Sequence, residues 1–258
     1  MTRQVIAIAA SKGGVGKSST TWAIASFLAL KHKVLVVDLD PLGSSSASLV
    51  GQGDINIYDV LARGIPIERA IVPALPAFGA NLSVIIASPA LAGFDAETAG
   101  RLDRQYVVGD SLASIANFDF ILLDTPAGQT LLTTGALAAA DFVLTPCSCD
   151  DASFQQLPAF QKTIELIQKR ITPGLTSLPV VAGLYDRRQT MDFTVLVALR
   201  KHYRVFDQVI PKRISVREEM AAQLPCTLPE FQTLTDQILK EIQRDAQEKV
   251  RAPPPRRR

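Results

Sequence analysis

A short glycine-rich loop, Ser11-Lys-Gly-Gly-Val-Gly-Lys17-Ser18, restricts this chain more than any other feature. Before it runs an apolar stretch, residues 5–9, ending in small side chains; after it, residues 18–30 have the composition of a helix. Glycines let a backbone turn tightly enough for successive N–H groups to face inward at anionic oxygens. The N-terminus of the following helix adds its positive dipole end. The general phosphate-loop pattern is G-x-x-x-x-G-K-[ST]; Gly16, Lys17 and Ser18 fit its end, and Ser11 stands where the first Gly would be. Lys17 supplies the positive charge for β- and γ-phosphates, and the Ser18 hydroxyl a ligand for Mg²⁺.

The rest of the chain repeats the alternation that this loop begins. Strand-like runs at residues 34–37, 82–87, 120–123, 142–145, 180–184 and 205–210 are separated by segments of helical length. Runs such as VLVV and FILL lack polar alternation, as expected of strands covered on both sides. The pattern predicts an α/β fold, a mostly parallel twisted sheet flanked by helices on both faces, with ligands bound at the edge where the strands end. A length of 258 residues with 47% hydrophobic side chains supports one such unit. We place a single domain over residues 1–250 and a disordered basic tail, rich in Pro and Arg, over 251–258. Residues 51–80, rich in Gly and Pro, predict short helices and loops. Residues 230–249 predict an amphipathic helix, with Phe231, Leu234, Ile238 and Ile242 on the face that docks.

Two strand ends carry acids. Val34-Leu-Val-Val-Asp38-Leu-Asp40-Pro41 puts Asp38 and Asp40 at the edge where the glycine loop sits. Phe120-Ile-Leu-Leu-Asp124-Thr-Pro-Ala-Gly128 has the form of a Walker B strand, apolar residues followed by an acid that can hold Mg²⁺ or its water. Loop and acids together form a metal–nucleotide constellation.

The formal charge of +2 comes from 27 basic and 25 acidic residues, but it is unevenly spread. The last eight residues hold four arginines and no acid. Between Arg187 and Arg217 eight basic residues face only Asp192 and Asp207. An acidic body with one basic sector suits a polyanionic partner better than the average suggests. Three cysteines, Cys147, Cys149 and Cys226, build no disulfide framework, and no apolar stretch reaches the length of a membrane span. The expectation is a cytoplasmic protein without stable membrane insertion.

Lys12-Gly-Gly-Val-Gly-Lys17-Ser18 resembles the deviant Walker A loop of the ParA/MinD ATPases, marked by the extra lysine, here Lys12. VDLDPLGSSS is similar to the family's switch I segment, with Leu42 and Ser44 replacing the usual Gln and Asn. DTPAG at 124–128 resembles its switch II, and Val209-Ile210-Pro211-Lys212 its VIPR segment. The resemblance runs in order from residue 4 to about 225 and is strongest to the short, chromosome-type ParA partition ATPases. It implies ATP and Mg²⁺ as ligands and nucleotide contacts from Lys12, Gly13, Gly14, Val15, Gly16, Lys17, Ser18, Ser19 and Pro211. It implies metal ligation by Ser18, Asp40 and Asp124, and catalytic roles for Lys12, Lys17 and Asp40. Lys12 would reach across a homodimer to the partner's ATP, and Asp40 would orient the attacking water. Slow hydrolysis would await a centromere-binding, ParB-like partner.

The same resemblance turns the basic sector into a site for non-specific DNA, through Arg187, Arg188, Lys212, Arg213 and Arg217, and implies association with the nucleoid. Phosphate contacts of this kind require Lys and Arg but no base-reading motif. Three other readings stay open at this point. A MinD-like membrane ATPase would use an exposed C-terminal amphipathic helix. An iron–sulfur protein of the same superfamily would use Cys147 and Cys149, too few thiolates for a cluster. A positioning ATPase for carboxysomes or chemotaxis arrays would share the same site residues.

Overall fold

The computed structural model of the chain describes residues 3–51 and 53–251. In chain order the elements are β1 (Gln4–Ile8), α1 (Lys17–Leu28), β2 (Val34–Asp38), α2 (Ser44–Leu49), α3 (Ile57–Arg63), β3 (Val72–Pro73) and β4 (Leu82–Ile85). Then come α4 (Phe94–Glu97), α5 (Val107–Leu112), β5 (Phe120–Asp124), α6 (Leu131–Ala139), β6 (Phe142–Leu144), β7 (Pro146–Ser148) and α7 (Asp151–Arg170). The chain closes with β8 (Thr176–Ser177), β9 (Val181–Gly183), α8 (Thr190–His202), α9 (Ile214–Ala221) and α10 (Pro229–Arg251).

Seven strands form one sheet in the order β3-β4-β2-β5-β1-β6-β8, parallel except for the short edge pair β3–β4. Beyond β6 the strand is interrupted before Pro146, which has no N–H to donate. It resumes as β7, which pairs with β9 in a second parallel ladder. A hydrogen bond from Val181 N–H to Thr145 O (3.0 Å) links the two ladders.

Alternate residues of each central strand enter opposite layers, which is why their sequences are apolar throughout. Ile6, Ile8, Val34, Val36, Phe120 and Leu122 pack against α1 and α10. Val5, Ala7, Leu35, Val37, Ile121 and Leu123 pack against α3, α5, α6 and α7. A third cluster under α8 contains Cys147 and Cys149 beside Val195, Leu196 and Leu199. Both predicted layers of helices are therefore present.

Some expectations are corrected. The strand expected over residues 205–210 is not a ladder. Only two parallel bridges form, Val180 to Val205 and Tyr185 to Pro211. Between the bridges this segment advances one residue more than its partner, and such a bulge breaks regular pairing. Residues 51–80 contain α3 and turns of 3₁₀ helix as expected, but also the edge strand β3, whose Pro73 suits an edge position. The terminal helix extends through Arg251, so that residue ends α10, and the rest of the expected tail lies outside the described residues.

Phe231, Leu234, Ile238 and Ile242 are all buried in the layer that holds α1, so the apolar face of α10 is consumed in the core. That removes the feature on which a membrane-binding helix would depend. Among the described residues no helix is long and apolar enough to cross a membrane. Leu234→Ala should therefore cost about 2–5 kcal/mol in denaturant unfolding. Unchanged stability would mean that this face does not support the core.

Candidate nucleotide and metal site

The site is assembled where β1, β2 and β5 end. After β1 the chain turns through the glycine loop with Gly14 at φ 74° and Gly16 at φ 95°, conformations that a side chain strains. Gly16 stands at the N-cap position of α1 without any side-chain cap, so the N–H groups of the first turn remain available. Lys17, the first residue of α1, is turned inward and buried. Desolvation lowers the pKa of its ammonium, and the nearby Asp124 and Asp40 carboxylates oppose that shift.

Asp38 and Asp124 end neighbouring parallel strands at the same register, and neither is exposed. Burial pushes both carboxyl groups up, Asp124 to about 8, and the proximity of Asp38 adds to the Asp124 shift. Their surroundings then differ. Asp38 Oδ2 accepts from Ser46 N–H (2.8 Å) and Ser46 Oγ (2.7 Å), while Oδ1 accepts from Asp40 N–H (3.1 Å). Among the described residues the carboxylate oxygens of Asp124 have no hydrogen-bond partner. A buried carboxylate without donors, beside a lysine and the Ser18 hydroxyl, fits the demand of a divalent cation for hard oxygen ligands. Asp40 is half-buried and accepts from Leu42 N–H (3.0 Å), which turns the loop outward and leaves Leu42 exposed.

Lys12 is held by a different acid. Its Nζ lies 2.7 Å from Asp150 Oδ1. Asp150 caps α7 by accepting from Ser153 N–H (2.9 Å), and the Ser148 and Ser153 hydroxyls also reach it. Burial acts to raise the Asp150 pKa, but the hydrogen bonds from Lys12, Ser148 and Ser153 prevail and hold it at about 2. Sequence reasoning missed Asp150 as the partner of Lys12. An acid one residue before a helix is a visible capping signal, but the reach to residue 12 is tertiary.

The basic sector forms an open groove of about 820 Å³ at the far edge of the sheet, which brings together Arg187, Arg188, Lys212, Arg213 and Pro211. Arg217 stands exposed on α9 and is not part of that lining. Not all of this charge is free. Arg188 makes a bidentate pair with Asp186, Nε to Oδ1 at 3.0 Å and Nη2 to Oδ2 at 2.8 Å. The hydrogen bond from Arg188 pulls Asp186 well below the usual carboxylate range. Arg213 pairs with Glu230, and Arg204 with Glu241 at 2.6 Å. The cysteines offer little chemistry. Burial raises the thiols of Cys147, Cys149 and Cys226 to about 12. No group of three or more His, Cys, Asp or Glu able to hold a metal occurs among the described residues.

A family model described as an AAA domain matches residues 3–177. The chain is 33% identical to the chromosome partitioning protein ParA of Caulobacter vibrioides over 94% of its own length and 93% of that protein. It is 30% identical to the sporulation initiation inhibitor protein Soj of Bacillus subtilis, over 87% of the chain and 90% of the relative. Among solved structures, cobyrinic acid a,c-diamide synthase from Mycobacterium smegmatis with bound ADP and magnesium superimposes with a TM-score of 0.80 at 28% identity, over 94% of this chain and 96% of the other. With the strand-end acids and the lysine-bearing loop in place on a parallel sheet, this chain belongs to the ParA/Soj family of chromosome-partitioning P-loop ATPases.

Proposed function

We propose that the chain is a partition ATPase that forms an ATP-sandwich homodimer, binds DNA without sequence preference and releases it on hydrolysis, so as to segregate plasmid or chromosome DNA. The observation that carries the nucleotide half is the buried Lys17 facing Asp124 at the end of the glycine loop. The loop N–H groups from Gly13 to Ser19 and the Lys17 ammonium hold the phosphates. Ser18, Asp40 and Asp124 would hold magnesium, which when bound would neutralise phosphate charge. Asp40 orients the attacking water, and Pro211 contacts the nucleotide from the rim of the basic groove.

Lys12 gives the dimer its control. In the structure it is tied to Asp150, so reaching a partner's nucleotide requires breaking one ion pair per subunit. Association with ATP then depends on differential affinity, since ATP favours the dimer and its hydrolysis returns monomers. A ParB-like protein completes the switch and accelerates hydrolysis. DNA meets the groove at Arg187 and Lys212 first, with Arg188 and Arg213 contributing once their acidic partners are displaced and Arg217 adding a contact from α9. Dimerisation doubles this surface and keeps the ATP form on the nucleoid.

Three experiments test these statements. In gel retardation of arbitrary duplex DNA, the ATP form should bind more tightly than the ADP form. The Arg187→Ala, Lys212→Ala double variant should reduce the salt slope by about 2, one per lost phosphate contact. Absence of ATP-dependent binding removes the DNA reading. Asp40→Ala should persist as a dimer in ATP by light scattering, and a monomer at high concentration argues against the sandwich. Asp150→Asn keeps a good helix cap while releasing Lys12. With roughly 0–1 kcal/mol per exposed ion pair and two pairs per dimer, it should lower the ATP-dependent dimer dissociation constant by up to about thirtyfold. An unchanged constant shows that the pair with Asp150 does not restrain Lys12.

A further inference from the structure

The end of the sheet holds a second idle group besides the Asp124 carboxylate. Among the described residues, four buried side-chain oxygens lack a hydrogen-bond partner, namely Ser45 Oγ, both carboxylate oxygens of Asp124 and Glu230 Oε2. Glu230 already spends its other oxygen on Arg213. The remaining three belong to one place. Ser45 lies in the first turn of α2, next to Ser46, whose N–H and hydroxyl both bind Asp38. The strand register sets Asp38 beside Asp124. The Ser45 hydroxyl is close enough to work against the raised pKa of both acids.

Its idleness is specific. The other buried serines of α2 are satisfied, since Ser46 Oγ donates to Asp38 and accepts from Ala87 N–H at 2.9 Å, and Ser48 Oγ donates to Ser44 O at 2.8 Å. Ser45 has 0% exposure, so bulk water does not serve it. A hydroxyl sealed away without a partner is costly unless a ligand or ion completes its bonding. An alanine there would fill the same space without that cost.

We propose that Ser45 is a positioning residue of the metal site: its hydroxyl donates to Asp124 and fixes the rotation of that carboxylate against the divalent cation. The idea rests on the magnesium–nucleotide reading above. It assigns α2 a direct part in metal affinity, through a hydroxyl one remove from the ion. Groups that orient ligating carboxylates commonly change metal affinity about 10–100-fold when lost.

The test uses the full chain with Mn²⁺ as the probe and electron paramagnetic resonance as the readout, in the presence of ADP. Ser45→Ala removes one oxygen from a closed site and leaves its volume nearly unchanged. It should weaken Mn²⁺ binding to the ADP complex about tenfold, while ADP affinity in EDTA stays at the wild-type value. Asp124→Asn provides the comparison for a lost ligand. Undiminished Mn²⁺ affinity in Ser45→Ala, with wild type binding normally, overturns the role of Ser45 alone. An equal loss of ADP affinity with and without metal also overturns it, because the defect would then be one of general structure. If the wild-type ADP complex orders no Mn²⁺, the metal reading of the cleft falls and this proposal with it.

Discussion

Two carboxylates buried side by side set the terms for everything at the end of this sheet. Asp38 and Asp124 share a register on β2 and β5 with no exposure, and a low-dielectric setting penalises two like charges twice, once by desolvation and once by repulsion. Lys17 alone offsets one charge and is itself desolvated. The two acids resolve the conflict differently. Asp38 takes hydrogen bonds from Ser46 and Asp40 and becomes an anchor. Asp124 takes none among the described residues, and burial beside Asp38 pushes its carboxyl up to about 8, so that ionising it calls for a neighbouring cation.

The anchor explains the form of the loop that follows β2. Asp38 grips both its start, through Asp40 N–H, and its end, through Ser46, while Ser46 also accepts from Ala87 beyond β4. Gly43 at φ 63° allows the return. Between these fixed points Leu42 projects outward, being 84% exposed, while Asp40 stays half-buried near Lys17. A loop fixed at both ends and free in the middle can respond to a ligand at its tip without disturbing the sheet beneath it. The substitution of Leu42 for the usual Gln therefore changes the surface this tip presents and leaves the grip of Asp38 intact.

Local chemistry was legible in the sequence, and tertiary pairing was not. Gly14, Gly16, Lys17 and the acids at the strand ends announce themselves because each works through its own backbone position and the strand it terminates. The parallel sheet follows from apolar runs spaced by helices. The segment at residues 205–210 had the composition of a strand, but one surplus residue between the bridges at Val205 and Pro211 is invisible to composition. The pairing of Lys12 with Asp150 spans 138 residues. The pairing of Arg188 with Asp186 spans only two, but it depends on loop geometry that a charge count ignores. Ser45 was equally hidden. It stands in a run of three serines, and only the register of Asp38 against Asp124 distinguishes its hydroxyl from those on either side.

That last class of error changes the meaning of the basic sector. Eight basic residues against two acids read as a basic sector in the sequence, but Glu230 and Glu241, from α10, neutralise Arg213 and Arg204, and Asp186 chelates Arg188. Arg187, Arg200 and Lys212 remain as exposed cations on the groove without an ion pair among the described residues. A surface with so few free charges per subunit binds a polyanion weakly, because the counterion-release gain scales with the number of phosphates neutralised. Doubling the free charges by dimerisation squares, rather than doubles, the resulting equilibrium constant when both halves engage one duplex. On the proposed reading, a groove whose Arg188 and Arg213 are already paired suits a nucleotide-controlled DNA carrier, because a single subunit then holds DNA weakly and two hold it well.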